Sequence, residues 1–108
     1  MTDLYIVTVA CGSEHEAKKI GGTVVAERLA ACASCLADVQ SIFWWEGEIQ
    51  EEEETILMLK SHRCRFDELS DRIRELHSYE VPEIVSVPVA EALDAYLDWV
   101  KRETKADG

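Results

Sequence analysis

Basic residues are scarce in this chain: 11 lysines and arginines stand against 22 aspartates and glutamates, a formal charge of -11. A field of that sign repels phosphate backbones and anionic headgroups, so neither nucleic acid nor a membrane is an expected partner. It does attract cations, although keeping a small protein soluble explains it equally well. No apolar run approaches the length needed to span a bilayer, and no basic segment leads into an apolar stretch with a small-residue cleavage site. The expectation is a cytoplasmic protein. Catalytic fingerprints are missing too: there is no G-x-S-x-G, H-E-x-x-H, P-loop or Rossmann glycine pattern, and no identifiable pair of nucleophile and base. We therefore expect no enzyme. In a reducing compartment Cys11, Cys32, Cys35 and Cys64 do not read as a disulfide framework.

What is present fits one domain, residues 1–108, too short to cover much of its surface unless it associates. Asp3 to Val9 reads as a strand apolar at both parities, ending at Cys11-Gly12. Ser13 with Glu16 has the form of a capping box, and Ala17, Ile20, Val24 and Leu29 continue a helical stripe, giving a first helix over about residues 14–30. Gly21-Gly22 weakens that helix, tolerably so if another backbone must pass close by. Cys32 to Trp45 and Glu48 to Lys60 form a hairpin around Glu46-Gly47. Each arm is roughly twice the usual strand length, so the hairpin should project beyond its own domain. Phe66, Leu69, Ile73 and Leu76 mark a second helix ending near His77. Glu83 to Val89 is a short strand, and Leu93, Tyr96, Leu97 and Val100 a short C-terminal helix.

Strand, helix, strand, strand, helix, strand is an α+β, ferredoxin-like βαββαβ order with a long hairpin and an added C-terminal helix. Right-handed crossovers then bring Cys11, the Trp44-Trp45-Glu46 turn and the 77–83 segment to one sheet edge. Two helices cover one face only, so strands apolar on both faces call for another subunit. His77, at a helix C-terminus, either meets free carbonyls there or ligates a metal, with Glu80 or Glu83 behind its other nitrogen. Cys11, expected partly free of the sheet, offers a thiolate that with imidazole suits copper or zinc; otherwise it is a small buried residue at a strand end. Cys32 and Cys35 match C-x-x-C, but on a strand they face opposite sides and cannot share a metal. The glutamate run 51–54 reads as a solvated, edge-protecting face. Trp45, Tyr79 and Glu80 would line a small-molecule cleft together with His77 and Glu83, completed by Lys60 or Arg28 of a neighbour.

Glu27-Arg28-Leu29-Ala30-Ala31-Cys32, Ser41-Ile42-Phe43-Trp44-Trp45-Glu46-Gly47 and Glu75-Leu76-His77-Ser78-Tyr79-Glu80-Val81-Pro82-Glu83 closely resemble the divalent-cation tolerance protein CutA family. The resemblance runs from Asp3 to about Lys101. It implies a cytoplasmic homotrimer that binds divalent metal ions, copper foremost and zinc among the others. The resemblance implicates the histidine at His77 in metal binding, while Cys11 as a second ligand, with Glu80 or Glu83 completing the site, is the expectation from the shared sheet edge and donor type. The trimeric ferredoxin-like plan is also similar to that of the PII signalling proteins, so a small-molecule sensor, or an enzyme using the cleft between subunits, stands as the alternative. Relatives often carry Pro-Gly where Ala37-Asp38 stands here, and proline where Ser78 stands, which implies a softer bend and a less rigid loop.

Overall fold

The computed structural model describes residues 1–106. The elements are β1 (Leu4–Cys11), α1 (Glu14–Ala26), β2 (Cys32–Trp45), β3 (Glu48–His62), a 3-10 turn (Arg63–Arg65), α2 (Phe66–Leu76), β4 (Ile84–Pro88) and α3 (Asp94–Glu103). The strands form one antiparallel sheet in the order β2-β3-β1-β4, the ferredoxin-like arrangement anticipated from element order.

Local chemistry sets the element ends. At the start of α1 the Ser13 hydroxyl accepts from the Glu16 backbone N–H at 3.1 Å, while Glu16 Oε1 reaches back to the Gly12 N–H at 3.2 Å. The helix stops at Ala26, several residues before the expected end, because Arg28 adopts a left-handed φ of 65°. The Leu29 N–H then returns to the Val24 carbonyl and that of Arg28 to Val25, a Schellman closure that tucks Leu29 into the core. At the hairpin tip Glu46 and Gly47 both have positive φ, 49° and 80°, as a two-residue type I′ turn requires. The bend in β2 is a register shift between Leu36 and Val39, with Asp38 taking the left-handed position at φ 60°.

Val7, Val9, Cys11, Leu57 and Leu59 project from one sheet face and pack against Ala17, Ile20, Val24, Leu69 and Ile73 of the two main helices. Burying these apolar side chains is the main favourable term in folding. Gly21 belongs to this contact: a Cβ there would come within 3.0 Å of both Ala33 Cβ and Leu57 Cδ1. The close approach is thus to strand side chains, not to a passing backbone. Gly22 faces open space. Gly22→Ala should stabilise the protein by about 1 kcal/mol through helix propensity. Gly21→Val should destabilise it by about 1–3 kcal/mol through overpacking. Chemical denaturation of the two variants checks the opposite signs.

The second sheet face has little cover. α3 lies over one end, where the Tyr96 hydroxyl is 3.8 Å from Cys32 Sγ. Leu36, Val85 and Val87 remain about half exposed. The hairpin extends the molecule to 44 Å in its longest dimension, against 25 and 22 Å in the others. Along its outer half Ile42, Trp44 and Ile49 share one face and are 60 to 71% exposed.

Candidate metal site and the adjoining cleft

Cys11 differs from the expectation of a residue partly free of the sheet. It is the last residue of β1, sits opposite Thr55 in the β1–β3 ladder, and is wholly buried. Burial, with the Glu16 carboxylate adding to it, pushes the thiol up to about 12. The Cys11 thiol therefore gives up its proton less readily than an ordinary cysteine. Only a metal that bonds strongly to sulfur can displace that proton.

His77 caps the C-terminus of α2 and is nearly buried beside the end of β1. Its Nδ1 accepts the Tyr79 backbone N–H at 3.0 Å, so in the neutral ring the proton is on Nε2, which donates to the Ala10 carbonyl at 2.8 Å. The imidazole thereby ties the 77–83 segment to β1. Glu16, read from sequence only as a capping residue, is the third member of this group. Its Oε2 accepts the Ser78 N–H at 2.9 Å, 62 residues away in sequence. Burial works to raise the Glu16 pKa, but hydrogen bonds from Ser78 and the Gly12 N–H, with His77 nearby, outweigh it and hold the carboxyl below its ordinary value. One potential ligand atom each from Cys11, Glu16 and His77 all lie within 4.8 Å of one another. Sulfur, nitrogen and one carboxylate oxygen form a donor set fit for zinc or copper and poorly suited to magnesium.

Next to this group lies an open cleft of about 870 Å³. Phe43, Trp45, Gln50, Glu52 and Glu54 of the hairpin form one side, and Tyr79, Glu80, Val81 and Glu83 the other. Trp45, Tyr79 and Glu80 thus share the cleft, as the sequence suggested, while Trp44 points away from it and is 71% exposed. Glu83 lines the cleft and is not part of the group around Cys11 and His77. The solvated reading of the glutamate run fails at one position. Glu54 is buried, and its Oε2 accepts the Tyr79 hydroxyl at 3.0 Å. Burial first, and then the adjacent Glu54 carboxylate, push Tyr79 up to about 12. No basic residue is found among the described residues that line the cleft, which disfavours a phosphorylated ligand. Arg28, considered as a cleft residue, is paired with Glu103 at 2.9 Å. The four cysteines are free, with Cys32 turned to the α3 side of the sheet.

Residues 5–103 match the family described as CutA1 divalent ion tolerance protein. This chain belongs to that family. Among CutA relatives, the divalent-cation tolerance protein CutA of Thermus thermophilus is 40% identical across 96% of this chain and 99% of its own length. The chloroplastic CutA 1 of Oryza sativa subsp. japonica is 31% identical over 93% of this chain, which spans only 56% of that longer relative. The crystal structure of CutA from Xylella fastidiosa superposes with a TM-score of 0.93 at 32% identity, covering 95% of this chain and 99% of the other. CutA membership makes divalent-cation tolerance the function class. The family description names no reaction. Among the described residues no helix is long and apolar enough to cross a membrane.

Proposed function

We propose that this CutA-family chain binds a soft or borderline divalent metal ion, copper first and zinc after it, through Cys11, Glu16 and His77, and has no catalytic role. The observation that carries this reading is the convergence of a thiol, a carboxylate and an imidazole from β1, α1 and the end of α2 within 4.8 Å. Cys11 and Glu16 flank one turn, and His77 comes from a distant part of the sequence. The order of affinities follows from donor softness and from the Irving–Williams series. Glu83, from the cleft wall, would reach such a metal only by movement of the 77–83 segment. Trp45, Tyr79 and Glu80 are then the walls of a neighbouring small-molecule cleft.

The exposed thiols of Cys35 and Cys64 suit a reducing compartment, so the cytoplasm is the proposed location. The uncovered sheet face and the apolar hairpin tip support a homotrimer, the number three coming from the family resemblance alone.

Calorimetric titration of chelator-treated protein with Cu(II), Zn(II) and Mg(II) tests the metal reading. Copper should bind tightest and magnesium negligibly. His77→Ala should weaken copper binding by about 100-fold or more, since losing even a supporting partner of a metal ligand costs about 10–100-fold. Unchanged copper affinity in His77→Ala would exclude this site. If only Cys11→Ser is silent, a nitrogen and oxygen site around His77 and Glu16 remains.

A further inference from the structure

We propose that metal uptake by Cys11, Glu16 and His77 unlatches the 77–83 segment and so reshapes the adjoining cleft, which makes Tyr79 the link between the two sites. The inference rests on the metal-binding reading above. Its starting observation is that the imidazole of the donor group has no free ring nitrogen in the structure as it stands. Both Glu16 oxygens are engaged, by the Gly12 and Ser78 N–H groups at 3.2 and 2.9 Å. Both His77 nitrogens are engaged as well, by Ala10 and Tyr79 at 2.8 and 3.0 Å. The donor atoms lie up to 4.8 Å apart. A tetrahedral metal with bonds of about 2.0–2.3 Å holds its donors roughly 3.3–3.8 Å apart, so any pair near the outer limit must draw together.

The imidazole leaves no route that spares Tyr79. A metal on Nδ1 takes the lone pair that now accepts the Tyr79 N–H. A metal on Nε2 displaces the proton shared with Ala10, and a neutral ring must then carry its proton on Nδ1, where it opposes the same N–H. Either way the Tyr79 N–H loses its acceptor. Tyr79 is held elsewhere by its ring, 4.7 Å from that of His77, and by its hydroxyl on Glu54. The ring also rests on Gly12, where an added Cβ would meet its hydroxyl oxygen at 3.3 Å. Movement of Tyr79 therefore carries the wall formed with Glu80 and Val81 relative to the hairpin wall of Trp45 and Glu54. Because coupling between binding sites is reciprocal, whatever loosens the Tyr79 hydroxyl from Glu54 must also favour the metal.

Zn(II), which is diamagnetic and redox-inert, is the probe. In the parent protein, saturating Zn(II) should accelerate hydrogen exchange at the Tyr79 amide by about 10-fold, because its acceptor is lost. Tyr79→Phe keeps the ring and removes only the bond to Glu54. It should raise Zn(II) affinity by about 5-fold or more, the lower end of typical coupling. Glu54→Gln tests the same bond from the other side and should shift affinity in the same direction. Zn(II) binding with an unchanged Tyr79 amide, or with equal affinity in parent and Tyr79→Phe, overturns the latch and leaves the metal reading intact. Absence of both Zn(II) and Cu(II) binding to the parent by equilibrium dialysis overturns both.

Discussion

Ile42→Asp combined with Trp44→Asp is expected to convert the proposed trimer into monomers, seen as a threefold fall in mass by light scattering coupled to size exclusion. Ile42 and Trp44 share a face of the hairpin with Ile49, and their exposures of 67, 71 and 60% leave an apolar arm with nothing against it in the single chain. Burying one tryptophan removes about 150–250 Å² from water. At about 25 cal/mol per Å² that is roughly 4–6 kcal/mol for each arm, a large share of what a small assembly requires. Introducing a carboxylate on that surface reverses the term, since a charge cannot be desolvated cheaply without a partner. The altered residues lie beyond the bulge at Asp38, away from the packed core, so the far-UV signal should persist. Coupled dissociation also makes the unfolding midpoint of the parent rise with protein concentration. A parent that runs as a monomer at micromolar concentration rejects the assembly; a dimer or tetramer rejects only the number three.

Leu57→Ala should cost about 2–5 kcal/mol, the range for deleting a buried leucine side chain. Leu57 is fully buried at the centre of the helix-facing sheet surface, and its Cδ1 lies at the point where Gly21 of α1 approaches most closely. Truncation removes apolar contacts to helix and sheet together. Because α1 is held near by the absence of a side chain at Gly21, relaxation into the vacated space is limited, which places the expected value in the upper part of the range. Denaturant unfolding at matched protein concentration measures it. A loss below about 1 kcal/mol would show that the helix layer collapses onto the sheet without penalty.

The legible part of the site was its location. Element order and crossover handedness brought Cys11, Trp45, His77 and Tyr79 to one edge, and the structure has them there. Its inner arrangement was not legible. Glu16 carries the signature of a capping residue, and nothing local in sequence reveals that its other oxygen reaches Ser78. Glu54 is one of a run of glutamates whose neighbours are exposed, and only the approach of Tyr79 buries it. Cys11 reads as a strand end, but β3 extends far enough to pair with it through Thr55. The early stop of α1 also escaped the hydrophobic pattern, because Leu29 keeps the helical spacing while Arg28 turns the chain.

Element order, the βαββαβ topology, the projecting hairpin and the family can be read from the chain alone, because periodicity, turn chemistry and short motifs are properties of neighbouring residues. The assembled fold sets the raised pKa of the Cys11 thiol, the tautomer of His77, the burial of Glu54 and the entry of Glu16 into the donor group. Each of these depends on hydrogen bonds and desolvation supplied by residues distant in the chain. Those energies exist only once the strands and helices have been brought together.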